Sequence, residues 1–493
     1  MSDIGPLFLL TILPLLAAIF IMVGAQPRMT ARVSSVLLFV LTCFLIFRYD
    51  REAGDFQFVS GWTVSEVMGL SLLFGADGLS LAMLFLASIV TVAAVWVIPP
   101  IKDRERMFYA CILLISTGVV GAFASLDVLF FYAFHEVALI PTFLLIGIWG
   151  SGDRQAAAWK ATIYLGLGSF VLLLGIIGLY SAMPSGIRSF DLRVIQEAAA
   201  VGVLKPDDWV YLLLLIGFGT LVSLFPFHSW APQAYASAPP PAAMLHAGVL
   251  KKFGAYGLLR LALPVFPEAM QTYANLLLML LIGNILVIGL VTISQKRLDW
   301  TLGYSSVMHM GYIFLGFAAL NELSLSGAGL LMVAHGLSIA ALFALSGAIR
   351  DKTGTLDFSE LGGLAKVAPM LGLLFGFATM ASIGLPGFAN FPGELLVFFG
   401  AFSSPLASPA AFGLSNFQWT TVVAVWGVVI SAVYMLRAYR KVFFGTMPER
   451  WTTLTDIDIR TRYAVILLIL AMLIIGFYPQ PILELITPSL LLP

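Results

Sequence analysis

Several ionisable side chains sit inside apolar stretches of this sequence, where an unpaired charge is costly. Glu136 lies in "FFYAFHEVALIP" (130–141), within a run from 128 to 149 that is otherwise almost wholly apolar. Lys251 and Lys252 lie in "LHAGVLKKFGAYGLLR" (245–260), well inside their apolar run. Glu394 follows a Pro/Gly interruption in "GLPGFANFPGELLVFFG" (384–400). Inside an apolar medium, a carboxylate and an ammonium that change their separation can exchange a proton. His246, His309 and His335 are also at membrane depth, and imidazoles can relay protons near neutrality.

Each of these positions also has a plainer reading. Glu136 can be a hydrogen-bonded packing group. A lysine can snorkel to an interface, although neither end of the run is close. Glu394 can cap a half-helix whose dipole favours a carboxylate. A core histidine can be satisfied by a nearby carbonyl or Ser. Adjacent helix positions point about 100° apart, so Lys251 and Lys252 do not share a role. Lys252 and Tyr256 do share a face. His228, in the Pro-rich stretch "FPFHSWAPQ", reads as structural, and Asp77 and Asp299 as caps near span ends.

The elements that hold these groups are membrane spans. The chain has 493 residues, 60% hydrophobic and 11% charged, with a mean hydropathy of +0.99. Soluble domains carry about 25% charged residues. Apolar runs of about 20 residues recur along the chain. They fall at 5–24, 32–48, 79–101, 107–125, 127–149, 160–183, 209–227, 241–263, 273–294, 300–319, 325–349, 367–404, 416–440 and 462–478. The fold expected is all-α and polytopic, with about fourteen transmembrane helices. Spans 7 and 12 are discontinuous, broken near Pro226 and Pro232 and near Pro386, Gly387 and Pro392; such breaks survive only where protein or a wet cavity satisfies the backbone. The breaks lie five spans apart, which suggests two five-helix repeats, spans 4–8 and 9–13. An odd number of helices per repeat makes them inverted. The corresponding divisions are 1–106, 107–263, 264–443 and 444–493.

Eighteen of the 26 Lys and Arg fall on odd-numbered connections and six on even ones, with Lys251 and Lys252 inside a span. Odd connections are therefore expected on the cytoplasmic side and both termini opposite. Met1-Ser2-Asp3 has no basic n-region, so the first span reads as retained. Net charge is zero, with no basic stripe for nucleic acid. Two cysteines, Cys43 and Cys111, are too few for a cluster held by four thiolates. The five histidines show no metal-ligand spacing, and no phosphate-cradling loop stands out. No cofactor or metal is expected on this chain.

In order, "FHEVALIPTFLLIGIWG" (134–150), "FPFHSWAPQA" (225–234), "HAGVLKKFGAYGLLR" (246–260), "GYSSVMHMGY" (303–312), "AHGLSIAALF" (334–343), "LPGFANFPGE" (385–394) and "YMLRAYRKVFFG" (434–445) form a specific set. With them the chain resembles the antiporter-like membrane subunits of proton-pumping NADH:quinone oxidoreductase (complex I). These are related to Mrp-type antiporters and membrane-bound hydrogenases. The acid in "NFPGE" is similar to the M-type subunit, and the long lateral helix of the L-type is not expected.

The resemblance implies a half-channel in each repeat, joined by a polar axis. It places Glu136, Lys252 and Glu394 at pump sites and His335 and His309 along the axis. It implies a bacterial inner-membrane translocase subunit beside L-type and N-type partners in the bilayer. NADH, FMN, iron–sulfur clusters and quinone would then sit in other subunits. One position departs: the lysine usual in span 7 is Leu221, in "GFGTLVSLFPFH". Lys251 is an extra lysine, so Lys251 or His246 is expected to replace the missing partner of Glu136. An Mrp-type sodium/proton antiporter, a hydrogenase-complex pumping subunit and a scaffold that has lost pumping are the alternatives.

Overall fold

The computed structural model describes residues 4–52, 55–408 and 413–490. Met1-Ser2-Asp3, on which the retained-first-span reading rests, lies outside the described residues. Helix occupies all fourteen expected spans. Ten of these helices, among the described residues, are long and apolar enough to cross a membrane. The other four differ for local reasons. Leu298–Ala318 carries Asp299, Ser305, Ser306 and His309 and is less apolar. Pro240–Val265 is divided by two π-helical turns, His246–Leu250 and Leu258–Ala262. Spans 7 and 12 are each two short halves.

The two breaks share a design. In span 7, helix Asp208–Val222 ends at Ser223, whose φ of 70° is left-handed, and helix resumes at Trp230–Ser237. In span 12, Pro369–Ile383 ends at Gly384 (φ 81°) and helix resumes at Asn390–Phe402. Pro226 and Pro386 lie in the gaps. Pro232 and Pro392 each fall third in the resuming half, in the first turn where no amide is needed.

The gap in span 7 is closed by a side chain from span 9. Asn284 accepts from Phe225 N (2.7 Å) and donates to the carbonyls of Ser223 and Val307 (both 3.0 Å). One buried amide thus satisfies two backbone groups that the break would orphan and ties them to span 10.

The all-α expectation needs one correction. The connection 49–78 contains an antiparallel hairpin, Gln57–Ser65 with Leu70–Ala76. The strands are too short to read as spans, and their mix of β-branched, aromatic and small residues fits a half-buried ribbon. The hairpin packs on span 1 through Phe8 and Trp62 (ring centroids 4.7 Å apart). It is tied to the start of span 5 where Asp127 accepts from Ser71 N (3.0 Å).

Span 11, Glu322–Thr353, runs through the protein interior, and its 18-residue apolar window is wholly buried. Span 8 comes very close to it. A Cβ on Gly336 would lie 2.7 Å from the Gly248 carbonyl, too close for any side chain. Each glycine follows a histidine, at one or two positions' remove. The close contact therefore brings the ionisable groups of the two spans together.

Candidate functional site

Lys252 opens the short helical stretch between the two π turns of span 8. Its Nζ donates to the Ala247 carbonyl (2.8 Å) and lies 2.8 Å from His335 Nδ1 on span 11. Both side chains are buried. One proton can sit on either partner of this contact. An ammonium donates to Nδ1, or a protonated Nδ1 donates to a neutral amine. When Nδ1 accepts, the ring proton is on Nε2, which has no hydrogen-bond partner among the described residues.

His309, on span 10, continues the line, its ring centroid 5.6 Å from that of His335. Its Nδ1 lies 2.8 Å from the Ser305 carbonyl and its Nε2 2.9 Å from the Ser382 carbonyl. Carbonyls only accept. A neutral ring can donate to one of them, and only an imidazolium satisfies both. Ser382 belongs to the first half of broken span 12, two residues before Gly384.

Glu394 stands in the second turn of the resuming half of span 12, so it lies near the half-helix start but past the capping position. Its carboxyl folds back over Gly384, where an added Cβ would collide with Oε2. Glu394 is buried, and Oε1 has no partner among the described residues. Lys252, His335, His309 and Glu394 therefore follow one another from span 8 to the break in span 12.

Glu136 is set apart from this line. Its helix, Val128–Trp149, starts at Asp127, which caps Leu129 N and Phe130 N. The Glu136 side chain is 37% exposed, not enclosed, and Oε1 lies 3.4 Å from His135 Nδ1. His135 is buried and stacks on Phe253, the neighbour of Lys252 (centroids 4.2 Å). Phe253 in turn stacks on Phe131 (4.1 Å). Leu221 is buried in apolar packing.

Neither Lys251 nor His246, the expected replacements for the missing partner, hydrogen-bonds Glu136 among the described residues. Lys251 Nζ donates to the Ser306 carbonyl (3.2 Å) and to its hydroxyl (3.4 Å), and lies 5.7 Å from the Tyr235 ring centroid. His246 Nδ1 lies 3.4 Å from the Tyr235 hydroxyl. Lys251 thus points toward span 10 while Lys252 points toward span 11, as their 100° offset requires. His135 is the group the sequence reading passed over. Its signal was adjacency to Glu136 within an apolar run.

The other flagged groups are local. His228 stacks on Phe225 (5.5 Å) within the span 7 gap. Asp299 accepts from Arg297 Nη2 (2.7 Å) and Trp300 N (2.9 Å). Asp77 caps Gly78–Trp96 by accepting from Ser80 N (3.0 Å), and it also pairs with buried Arg260.

This is a polytopic membrane protein with two interrupted helices and a buried succession of ionisable groups between them. The chain belongs to the family described as NADH:quinone oxidoreductase/Mrp antiporter, transmembrane, whose pattern matches residues 125–417. It is 34% identical over 489 residues to NAD(P)H-quinone oxidoreductase chain 4 of Gloeobacter violaceus, covering 98% of this chain and 91% of that one. It is 32% identical over 492 residues to NADH-quinone oxidoreductase subunit M of Rickettsia prowazekii, covering 97% and 96%. A chain of respiratory complex I from Thermus thermophilus superposes with a TM-score of 0.86 at 26% identity, over 98% of this chain and 99% of that one. The Mrp complex of Dietzia shares the fold, with a TM-score of 0.82 at 19% identity, over 98% and 96%.

Proposed function

We propose that this chain is a proton-translocating membrane subunit of a respiratory NADH:quinone oxidoreductase, working beside other membrane subunits of L and N type. Redox chemistry belongs to partner subunits that hold NADH, FMN, iron–sulfur clusters and quinone. The observation that carries the reading is the Lys252–His335 contact, continued by His309 to Glu394. Protons pass along this line as the amine and imidazoles change partners. Spans 4–8 and 9–13 act as inverted halves, with odd connections on the cytoplasmic side of a bacterial inner membrane.

His135 takes the place beside Glu136 that Leu221 cannot fill. It offers Glu136 a buried, exchangeable partner one residue away, and it stacks on the residue next to Lys252. Lys251 and His246, linked through Tyr235 and Ser306, form a side branch between spans 8 and 10.

The test is the proton-to-electron ratio of the intact complex in sealed vesicles. Lys252→Met and Glu394→Gln are expected to lower it while electron transfer continues. An unaltered ratio in both would return the chain to a scaffold role. A ratio that depends on sodium would instead point to Mrp-type exchange.

A further inference from the structure

We propose that Arg260, held by Asp77, is an electrostatic seal between an aqueous cavity and the buried Lys252–His335 pair. The idea rests on the reading that Lys252 carries the translocated proton. A cavity of about 330 Å³ opens on the face that bears the hairpin and the last described residues. Asp55, Gln196, Glu197 and Ser489 line it, and Asp77 and Arg260 close its inner end. It is polar and large enough for several waters.

Arg260 sits on the second π turn of span 8, two turns beyond Lys252. Its guanidinium is buried and paired with the Asp77 carboxylate. It lies 4.9 Å from the Tyr256 ring centroid and 5.4 Å from that of Phe56. Tyr256 lies one turn from Lys252 and one turn from Arg260, so along span 8 it stands between the inner end of the cavity and the amine.

The hydrogen bonds between Arg260 and Tyr256 give a proton no route to the amine. Arg260 Nη2 donates to Ser80 Oγ (3.2 Å). Ser80 Oγ and Tyr256 Oη are 2.8 Å apart, and Tyr256 donates to the Phe123 carbonyl (3.4 Å). A guanidinium has only donors and keeps its proton. This hydrogen-bonded chain ends on the Phe123 carbonyl and not on Lys252, and a proton arriving from the cavity meets the fixed positive charge of Arg260 before any group that could pass it inward. Arginines exclude protons from water pores in the same way. Asp77 holds the guanidinium in place and is itself fixed as the cap of span 3.

The test uses the assembled complex in sealed vesicles without NADH, with acid imposed on the hairpin side. Arg260→Gln is expected to dissipate the gradient several-fold faster than wild type. Dissipation at the wild-type rate overturns the seal. A second measurement holds even if Arg260→Gln fails to assemble. In chains with Cys43 and Cys111 replaced by Ser, Glu197→Cys at the cavity rim is expected to react with a membrane-impermeant cationic thiol reagent from the hairpin side. Ser80→Cys is expected to stay unlabelled; its rapid labelling overturns the proposal. Pumping by Lys252→Met and Glu394→Gln, measured on the same vesicles, separates the two ideas. If both pump normally, the proton-carrying reading fails, whatever the leak rate.

Discussion

Lys252 Nζ meets His335 Nδ1 at 2.8 Å across the closest approach of spans 8 and 11, with neither group reaching water. The contact exists because Gly248 and Gly336 let the two backbones come together. Removing one member of such a buried pair costs about 1–3 kcal/mol and leaves the other without a partner. A fixed charge also differs here from an exchangeable one.

Lys252→Arg is therefore the sharper companion to Lys252→Met. Arginine keeps the charge and its donors but does not release a proton. Both variants are expected to abolish this chain's share of pumping, and only Lys252→Arg to keep near-normal assembly. Proton-to-electron ratio and yield of intact complex check this together. Normal pumping by Lys252→Arg would mean the site works by charge alone.

His135→Phe preserves the stack on Phe253 and removes the group beside Glu136. It is expected to lower pumping and to change its pH profile, with little effect on assembly. Lys251→Met and His246→Ala should leave the pH profile of the Glu136 step unchanged, because neither hydrogen-bonds that carboxyl. A profile altered by Lys251→Met and not by His135→Phe would reverse the assignment.

Gly384→Ala puts a side chain at a left-handed residue and pushes into the Glu394 carboxyl. The backbone effect alone is about 1 kcal/mol or more. The variant is expected to lower both the thermal stability of the complex and its pumping. Gly354→Ala, also at a left-handed glycine but with no atom within 4 Å of the new Cβ, serves as control. It should show the backbone cost without the pumping defect.

Asn284→Leu removes two hydrogen bonds at the span 7 break and one to span 10. Each of the two groups orphaned at the break costs about 1–3 kcal/mol, so the loss is expected to be about 2 kcal/mol or more. Loss of intact complex on heating in detergent measures it. Stability close to wild type would show that the gap is closed by other means.

Hydrophobic run length made all fourteen segments readable, because a bilayer imposes one length on every span. Pro226 and Pro386 marked the breaks, because proline cannot continue a ladder of amides. Asn284 was not readable as the clamp across the first break, since its partners lie on spans 7 and 10 and nothing local distinguishes it. The hairpin was hidden because a seven- to nine-residue ribbon gives a weak signal beside twenty-residue runs. Lys252, Glu394, His309 and His335 were visible as ionisable groups in apolar surroundings. Their order in space depended on glycine contacts between distant spans. The hydrogen-bond partners of Lys251 and His246 were not readable, because depth in the membrane does not say which neighbour a side chain faces. Asp77 was expected as a cap and is one, but the guanidinium it also holds is more than 180 positions away.

The π turn His246–Leu250 has a consequence for how this span counts its residues. A π turn holds one residue more than an α turn. Deleting Val249 would restore ordinary winding upstream of Lys252. The wide turn absorbs that surplus residue, so the parts on either side keep the bearings of an uninterrupted α-helix and Lys252 stays aimed at His335. A deletion in the ordinarily wound stretch Lys252–Gly257 would instead turn everything before it by about 100° relative to everything after it. The span should therefore tolerate loss of one residue within 246–250 better than within 252–257.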